Sequence, residues 1–259
     1  MKQHEGERIA KVMARSGVCS RRDAEKLIRE GKVRVNGKII TSPALNVTKA
    51  DSILINNKPL AQKDSTRVWL FHKPKGYVTS HKDEKGRDTA FSLLPKDMPR
   101  VISVGRLDLN SEGLLLLTND GELSRFLESP KNGWRRKYRV RVYGHVTEEE
   151  LAQMKEGLTV TNKRTGERVK YQPIEATIDG KSGRNTWVIF KLTEGKNREI
   201  RNVCEHFGWQ VNRLIRTSFG PFNLSDLPPK GVREVSQKFL MEKLVSWPTS
   251  SKPDKGGHA

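Results

Sequence analysis

Cysteine is nearly absent from this chain. Cys19 and Cys204 are the only two, and they stand far apart, which excludes a disulfide framework and a Cys-rich zinc site. His206 follows Cys204 closely, but no second ligand pair accompanies them, so an ordinary helix position is the reading and no metal is expected. The opening MKQHEGERIAK has no apolar stretch of signal-peptide length. No apolar run approaches membrane-spanning length; Leu114 to Leu117 is far too short. A reducing, cytoplasmic compartment with no membrane partner is therefore expected. A P-loop, a dinucleotide fingerprint and a zinc-hydrolase motif are all missing. Acidic residues are also scarce. Against 49 Lys and Arg stand 30 Asp and Glu, a formal net charge of +19. Such an excess raises affinity for polyanions through counterion release and steers their approach. Nucleic acid is the partner this charge favours.

What is present divides along the chain. Hydrophobic residues make up 34% of the 259, enough for a sizeable core. Residues 7–30 read as two short helices interrupted at Ser16-Gly17. Ser20 stands three residues before Asp23, a capping-box spacing. Gly31 suits the stop of the second helix. Val33 to Ile40 alternates around Asn36-Gly37, the strongest short hairpin signal, and Ser52 to Ile55 adds a third strand. The helices are strongly basic. Arg21 and Arg22 occupy a first helical turn, where the helix dipole disfavours cations; a phosphate ligand would explain them. The run GVCSRRDAEKLIREGKVRVNGKII resembles the S4 RNA-binding domain, which implies RNA binding and no particular activity. Residues 1–60 are assigned to this domain and 61–66 to a linker. A second domain is expected over 67–245, and a disordered tail from Ser246. In the second domain, strand-like runs fall at 68–71, 114–117, 138–143, 157–160, 168–178, 186–192 and 232–235. Helix-like runs fall at 121–128, 147–155, 197–207 and 237–245. A mixture without regular βα alternation argues for an α+β fold.

The segment richest in possible chemistry is GRLDLNSEGLLLLTNDG, residues 105–121. Its run Leu114 to Leu117 should be a central strand buried on both faces. Asp108 lies just before it between two leucines, where a carboxylate is costly to desolvate unless paired. A turn or capping residue is the ordinary reading of such an Asp. An ionised, buried Asp wants a cation, and Lys196, Arg198 and Arg201 in EGKNREIR are candidates. Tyr138 falls on the inward side of an alternating strand, where its ring can stack on a nucleobase or serve as a core aromatic.

Lys73-Pro74-Lys75-Gly76, then GRLDLNSEGLLLLTNDG, then KYRV, then EGKNREIRNVCEHFG, in that order, resemble the pseudouridine synthases of the small-subunit type. These carry an N-terminal S4 domain. Residues 193–235 are most similar to the B-type, large-subunit branch, which acts on 23S rRNA. The resemblance implies a catalytic domain with a mixed, mainly antiparallel sheet. It implies Asp108 as the catalytic aspartate, Tyr138 as the tyrosine that stacks on the target base, and Arg201 as the basic partner of the aspartate. Ile200 would pack in the pocket, Arg106 would hold the flipped-out nucleotide, and Lys73, Arg21 and Arg22 would contact RNA. The implied reaction isomerises uridine without redox change or net hydrolysis, so no cofactor is expected. The implied substrate is ribosomal RNA, 23S first and 16S second, handled by a monomer. Two alternatives stand beside this reading. One is a non-catalytic S4 ribosome-assembly factor, which leaves Asp108 unexplained. The other is a sugar-bond hydrolase, which usually needs two carboxylates flanking the bond.

Overall fold

A computed structural model describes residues 6–61, 64–163 and 165–245. The expected disordered tail lies outside the described residues. Helices Ile9–Arg15 and Arg21–Arg29 pack on a small antiparallel sheet in which Val33–Val35 sits between Lys38–Ile40 and Ile53–Ile55. The local sequence explains each boundary. Ser20 and Asp23 exchange hydrogen bonds as a capping box, Ser20 Oγ accepting from Asp23 N at 3.1 Å and Asp23 Oδ2 from Ser20 N at 3.3 Å. Asn36 and Gly37 both take positive φ, 50° and 79°, as a two-residue hairpin with the right twist requires. Ile9, Met13, Ala24, Ile28 and Val33 close a core of their own, each 0% exposed.

The second unit is built on a 9-stranded sheet. Its spatial order is Glu175–Ser182, Asn185–Leu192, Arg136–Tyr143, Gln210–Phe219, Glu112–Thr118, Val68–Lys73 and Val232–Glu234. Ile102–Val104 pairs with Glu112–Thr118, and Phe222–Asn223 with Gln210–Phe219. All pairings are antiparallel except Gln210–Phe219 beside Glu112–Thr118. The expected α+β class and mainly antiparallel sheet are thus present. Leu114 to Leu117 are at most 1% exposed. Leu114 and Leu116 enter one core, Leu115 and Leu117 another, so this strand is the partition between them. The run read as one strand over 168–178 divides into Arg168–Tyr171 and Glu175–Ser182. Pro173 lies at the break and lacks the N–H that a continuous ladder needs.

Polar contacts tie the first unit and the linker to the second. Lys11 Nζ bridges Glu122 at 2.5 Å and Glu7 at 2.6 Å. Thr66 Oγ1 donates to Asp120 Oδ2 at 2.7 Å, at the N-terminus of helix Gly121–Glu128. Among the described residues, no helix is long and apolar enough to cross a membrane.

Candidate active site

Gly113 sets the depth of the site. It takes φ +103°, and a Cβ there would lie 2.4 Å from the Arg216 carbonyl oxygen. Only glycine lets the two parallel strands approach this closely. The loop Gly105–Ser111, which enters this strand, is therefore drawn against the middle of the sheet. Its backbone is clamped from both sides. Thr79 Oγ1 donates to the Leu107 carbonyl at 2.8 Å and accepts from Leu107 N at 3.2 Å. Gly76 N donates to the Leu109 carbonyl at 2.8 Å. Lys73 Nζ donates to the carbonyls of Pro74, Asp108 and Ser111 at 3.1, 3.1 and 2.8 Å.

Lys73 corrects one expectation. It is 0% exposed and all its contacts are to protein carbonyls, so it cannot meet RNA as the protein stands. It is the internal post that carries the Asp108 loop. Burial, reinforced by Arg216 and opposed by Asp108 and Glu112, pushes its pKa down to about 8.

Asp108 presents its carboxylate to a cavity of about 810 Å³, within the size range of small-ligand sites. The side chain is 35% exposed, more open than its leucine neighbours suggested. Arg198 Nη1 stands 3.9 Å from Asp108 Oδ2. Arg201, expected as the direct partner, makes no ion pair with it within 4.0 Å; its Nη2 donates instead to the Asn110 carbonyl at 2.7 Å. The reason is local. Helix Glu199–His206 begins after Arg198, which takes left-handed φ +53°. That kink swings Arg198 toward the carboxylate, while Arg201, one turn later, reaches the loop backbone. Burial and the neighbouring Arg198 lower the Arg201 pKa, with Asp108 opposing.

Glu199 fixes this kink. Its Oε2 accepts from Lys196 N at 3.0 Å. The residue is 4% exposed, and burial, opposed chiefly by that hydrogen bond, pushes its carboxyl up to about 7.

Tyr138 lines the cavity from strand Arg136–Tyr143. It pairs directly with Arg216, while Lys137 pairs with Ser218, so Thr217 is an extra residue in the neighbouring strand. Such a bulge breaks the ladder and bends its strand; Tyr138 and Arg216, paired directly beside it, both line the cavity. Ile200, 5% exposed, packs at its edge, and exposed Arg106 stands at its mouth. Arg21 and Arg22 are exposed on the small domain and do not line it. Cationic side chains outnumber acidic ones in the lining, 7 to 5, which suits a polyanion. Sequence reasoning overlooked Arg136, Arg216 and Phe219. Their only signal was polar or aromatic residues at inward positions of strands.

Cys204 is 0% exposed and its thiol is pushed up to about 12 by burial, so it supplies no nucleophile. The described residues hold no cluster of His, Cys, Asp and Glu fit for a metal.

The family model for RNA pseudouridylate synthase matches residues 67–206, and the S4 domain model matches residues 7–53. The chain is 45% identical to an uncharacterized RNA pseudouridine synthase of Rickettsia bellii, over 90% of this chain and 98% of that protein. It is 38% identical to the ribosomal large subunit pseudouridine synthase B of Yersinia pestis, over 87% of this chain and 71% of that one. A solved pseudouridylate synthase superposes with a TM-score of 0.63 at 28% identity, covering 92% of this chain and 99% of its own. Asp108 and most of the residues lining its cavity lie within the stretch that the synthase model matches, and the chain belongs to the RNA pseudouridine synthases.

Proposed function

We propose that this protein converts a uridine of the 23S rRNA of the large ribosomal subunit to pseudouridine, with Asp108 as nucleophile. The observation that supports it best is the Asp108 carboxylate. It projects from a backbone clamped by Lys73 and Thr79 into a cationic cavity that Tyr138 also lines. The reaction breaks the bond from C1′ to N1, turns the uracil, and joins C1′ to C5. One carboxylate nucleophile suffices for it, and the atoms balance without an oxidant or a second substrate. The target base must first leave its stack, at a cost of about a few kcal/mol. Stacking on Tyr138 and arginine contacts at the mouth, Arg106 among them, offset that cost. Ile200 closes the apolar side of the pocket. The cytoplasm is the expected compartment and the monomer the expected form. Relatives named for the large subunit favour 23S over 16S rRNA. Mapping pseudouridine across both ribosomal RNAs, in cells with and without this chain, tests the choice. Loss of one 23S site is expected; loss confined to 16S rRNA would overturn it.

Arg198 and Arg201 divide the expected cationic role. Arg198 faces the carboxylate and Arg201 holds the loop. Arg201→Met should lower turnover about 10²–10³-fold by releasing Asn110, on the scale of losing one electrostatic contact to the reacting centre. Arg198→Met should do so by a similar factor, since it removes the cation 3.9 Å from the carboxylate. Full turnover in Arg198→Met, with a large loss in Arg201→Met, would return the pairing to Arg201.

Tyr138→Phe separates stacking from proton chemistry. The ring face is kept, so RNA binding should survive. If the hydroxyl assists removal of the C5 proton, turnover falls by about 10²–10⁴-fold. Full turnover in the variant would leave Tyr138 as a platform only.

Arg21 and Arg22 are proposed as phosphate contacts of the S4 domain. The double change to Ala should weaken RNA binding and reduce the slope of log K against log salt by about 1.5, from about 0.7–0.9 per phosphate. An unchanged slope would move the RNA contacts elsewhere.

A further inference from the structure

Arg216 has no role in the reaction as derived so far, yet it is the most enclosed cation lining the cavity. It is 2% exposed. Its Nε donates to the Leu114 carbonyl at 2.7 Å. Its Nη2 is fully buried and has no hydrogen-bond partner. No carboxylate lies within ion-pair distance among the described residues; the guanidinium is instead 5.4 Å from the Phe219 ring centroid. A buried charge without an anion is costly, and a buried donor without an acceptor adds to that cost. The backbone leaves it little freedom to move, because the Arg216 carbonyl abuts Gly113. The side chain faces the cavity beside Tyr138, its direct cross-strand partner.

We propose that Arg216 is a further catalytic residue, whose guanidinium hydrogen-bonds a carbonyl oxygen of the target uracil and holds the negative charge the base acquires during the reaction. This rests on the isomerase reading above. A base stacked on Tyr138 comes to lie beside Arg216, whereas phosphates stay at the mouth with exposed Arg106. The charge arises by either available route. If Asp108 attacks C1′, the C1′–N1 bond breaks and its electron pair spreads over N1, O2 and O4. C5 then attacks C1′, the carboxylate leaves with its own pair, the C5 proton departs and N1 gains one. If Asp108 adds to C6, the C5–C6 π pair moves onto C5 and O4. In both cases a carbonyl oxygen gains charge in the transition state, and a preorganised guanidinium there lowers the barrier.

The test is single-turnover tritium release from a large-subunit rRNA transcript carrying [5-³H]uridine, with full-length protein. Arg216→Gln should slow release about 10²–10³-fold, the effect of deleting one such donor. RNA affinity and its salt slope should stay as in the unaltered protein. Release at the unaltered rate would overturn the proposal. So would weakened binding with a salt slope lower by about 0.7–0.9, because that marks a phosphate contact. Should Arg216→Gln fail to fold, the unaltered protein is given transcripts bearing 2-thiouridine or 4-thiouridine, with product read by mass spectrometry. Sulfur is the weaker acceptor, so one of the two should slow conversion about tenfold or more, as loss of a charge-assisted hydrogen bond does. No slowing with either overturns the proposal. The unmodified transcript with unaltered protein is the control: no pseudouridine there means that the isomerase reading itself has failed, and this inference with it.

Discussion

Asp108→Asn should abolish pseudouridine formation while leaving fold and RNA affinity in place. The side-chain hydrogen bonds that hold the loop carrying Asp108 go to its backbone. Lys73 takes the Asp108 and Ser111 carbonyls, Thr79 takes Leu107, and Arg201 takes Asn110. None of these bonds uses the carboxylate. Its nearest cation, Arg198, is 3.9 Å away, with both side chains about a third exposed. Losing that contact should therefore cost less than about 1 kcal/mol of stability, as for other partly exposed ion pairs. The amide is nearly isosteric but a poor nucleophile. A fall in turnover of about 10⁴-fold or more is expected, the scale on which removing a nucleophile acts. Tritium release, filter binding and a thermal melt read the three quantities separately. Substantial turnover by Asp108→Asn would remove Asp108 from the chemistry.

Lys73→Met should give the largest loss of stability, and most of the activity should go with it. The methionine can fill the volume, but the carbonyls of Pro74, Asp108 and Ser111 lose the ammonium as donor, and that of Asp108 keeps a bond from Ser111 N at 3.0 Å. An unsatisfied buried polar group costs about 1–3 kcal/mol, so a loss of about 3–5 kcal/mol is expected. Activity should fall further than the folded fraction does, because the Asp108 backbone is one of the three sites released. A pH dependence accompanies it. The folded pKa of Lys73, about 8, lies below the value of about 10.4 for an unfolded lysine. Between these limits the unfolded chain binds more protons, so stability gains from this group as pH rises through that window. Below about pH 8 both states are charged and the cost of burying the charge is fully present. Denaturant melts at pH 7.5 and 9.5 should show this contribution in the unaltered protein and not in Lys73→Met. A variant as stable as the parent, with the same pH response, would remove Lys73 as a support of the loop.

The sequence made the local rules legible and hid the places where they were broken. Ser20, Asp23, Asn36 and Gly37 could be read directly because capping and hairpin chemistry depend on neighbours only. Leu114 to Leu117 could be read because a strand buried on both faces needs no alternation. Strand Gln210–Phe219 was not foreseen, although it runs beside the strand that follows the Asp108 loop. Its inward positions include Arg216, and the extra residue Thr217 shifts its phase, so no period of two survives. Asp108 lies just before the central strand, as its motif placed it. Its cation was not decided by sequence, since Arg198 and Arg201 are three apart and share a helix side. The left-handed backbone at Arg198 made the choice, and nothing in that residue type announces it. Lys73 was misread for a related reason. A lysine beside Pro74 and Gly76 looks like an exposed loop cation, and only the packing of loop 105–111 over it turns it inward.

Pseudouridine formation in large-subunit ribosomal RNA and its dependence on Asp108 can be read in one experiment. The most direct measurement incubates the purified full-length protein with unmodified 23S rRNA and no added cofactor, then maps pseudouridine by mass spectrometry, with Asp108→Asn alongside. The expected result is pseudouridine at a defined site with the unaltered protein, no free uracil, and an unmodified RNA with Asp108→Asn. Free uracil in place of pseudouridine, or the same product from both proteins, would contradict it.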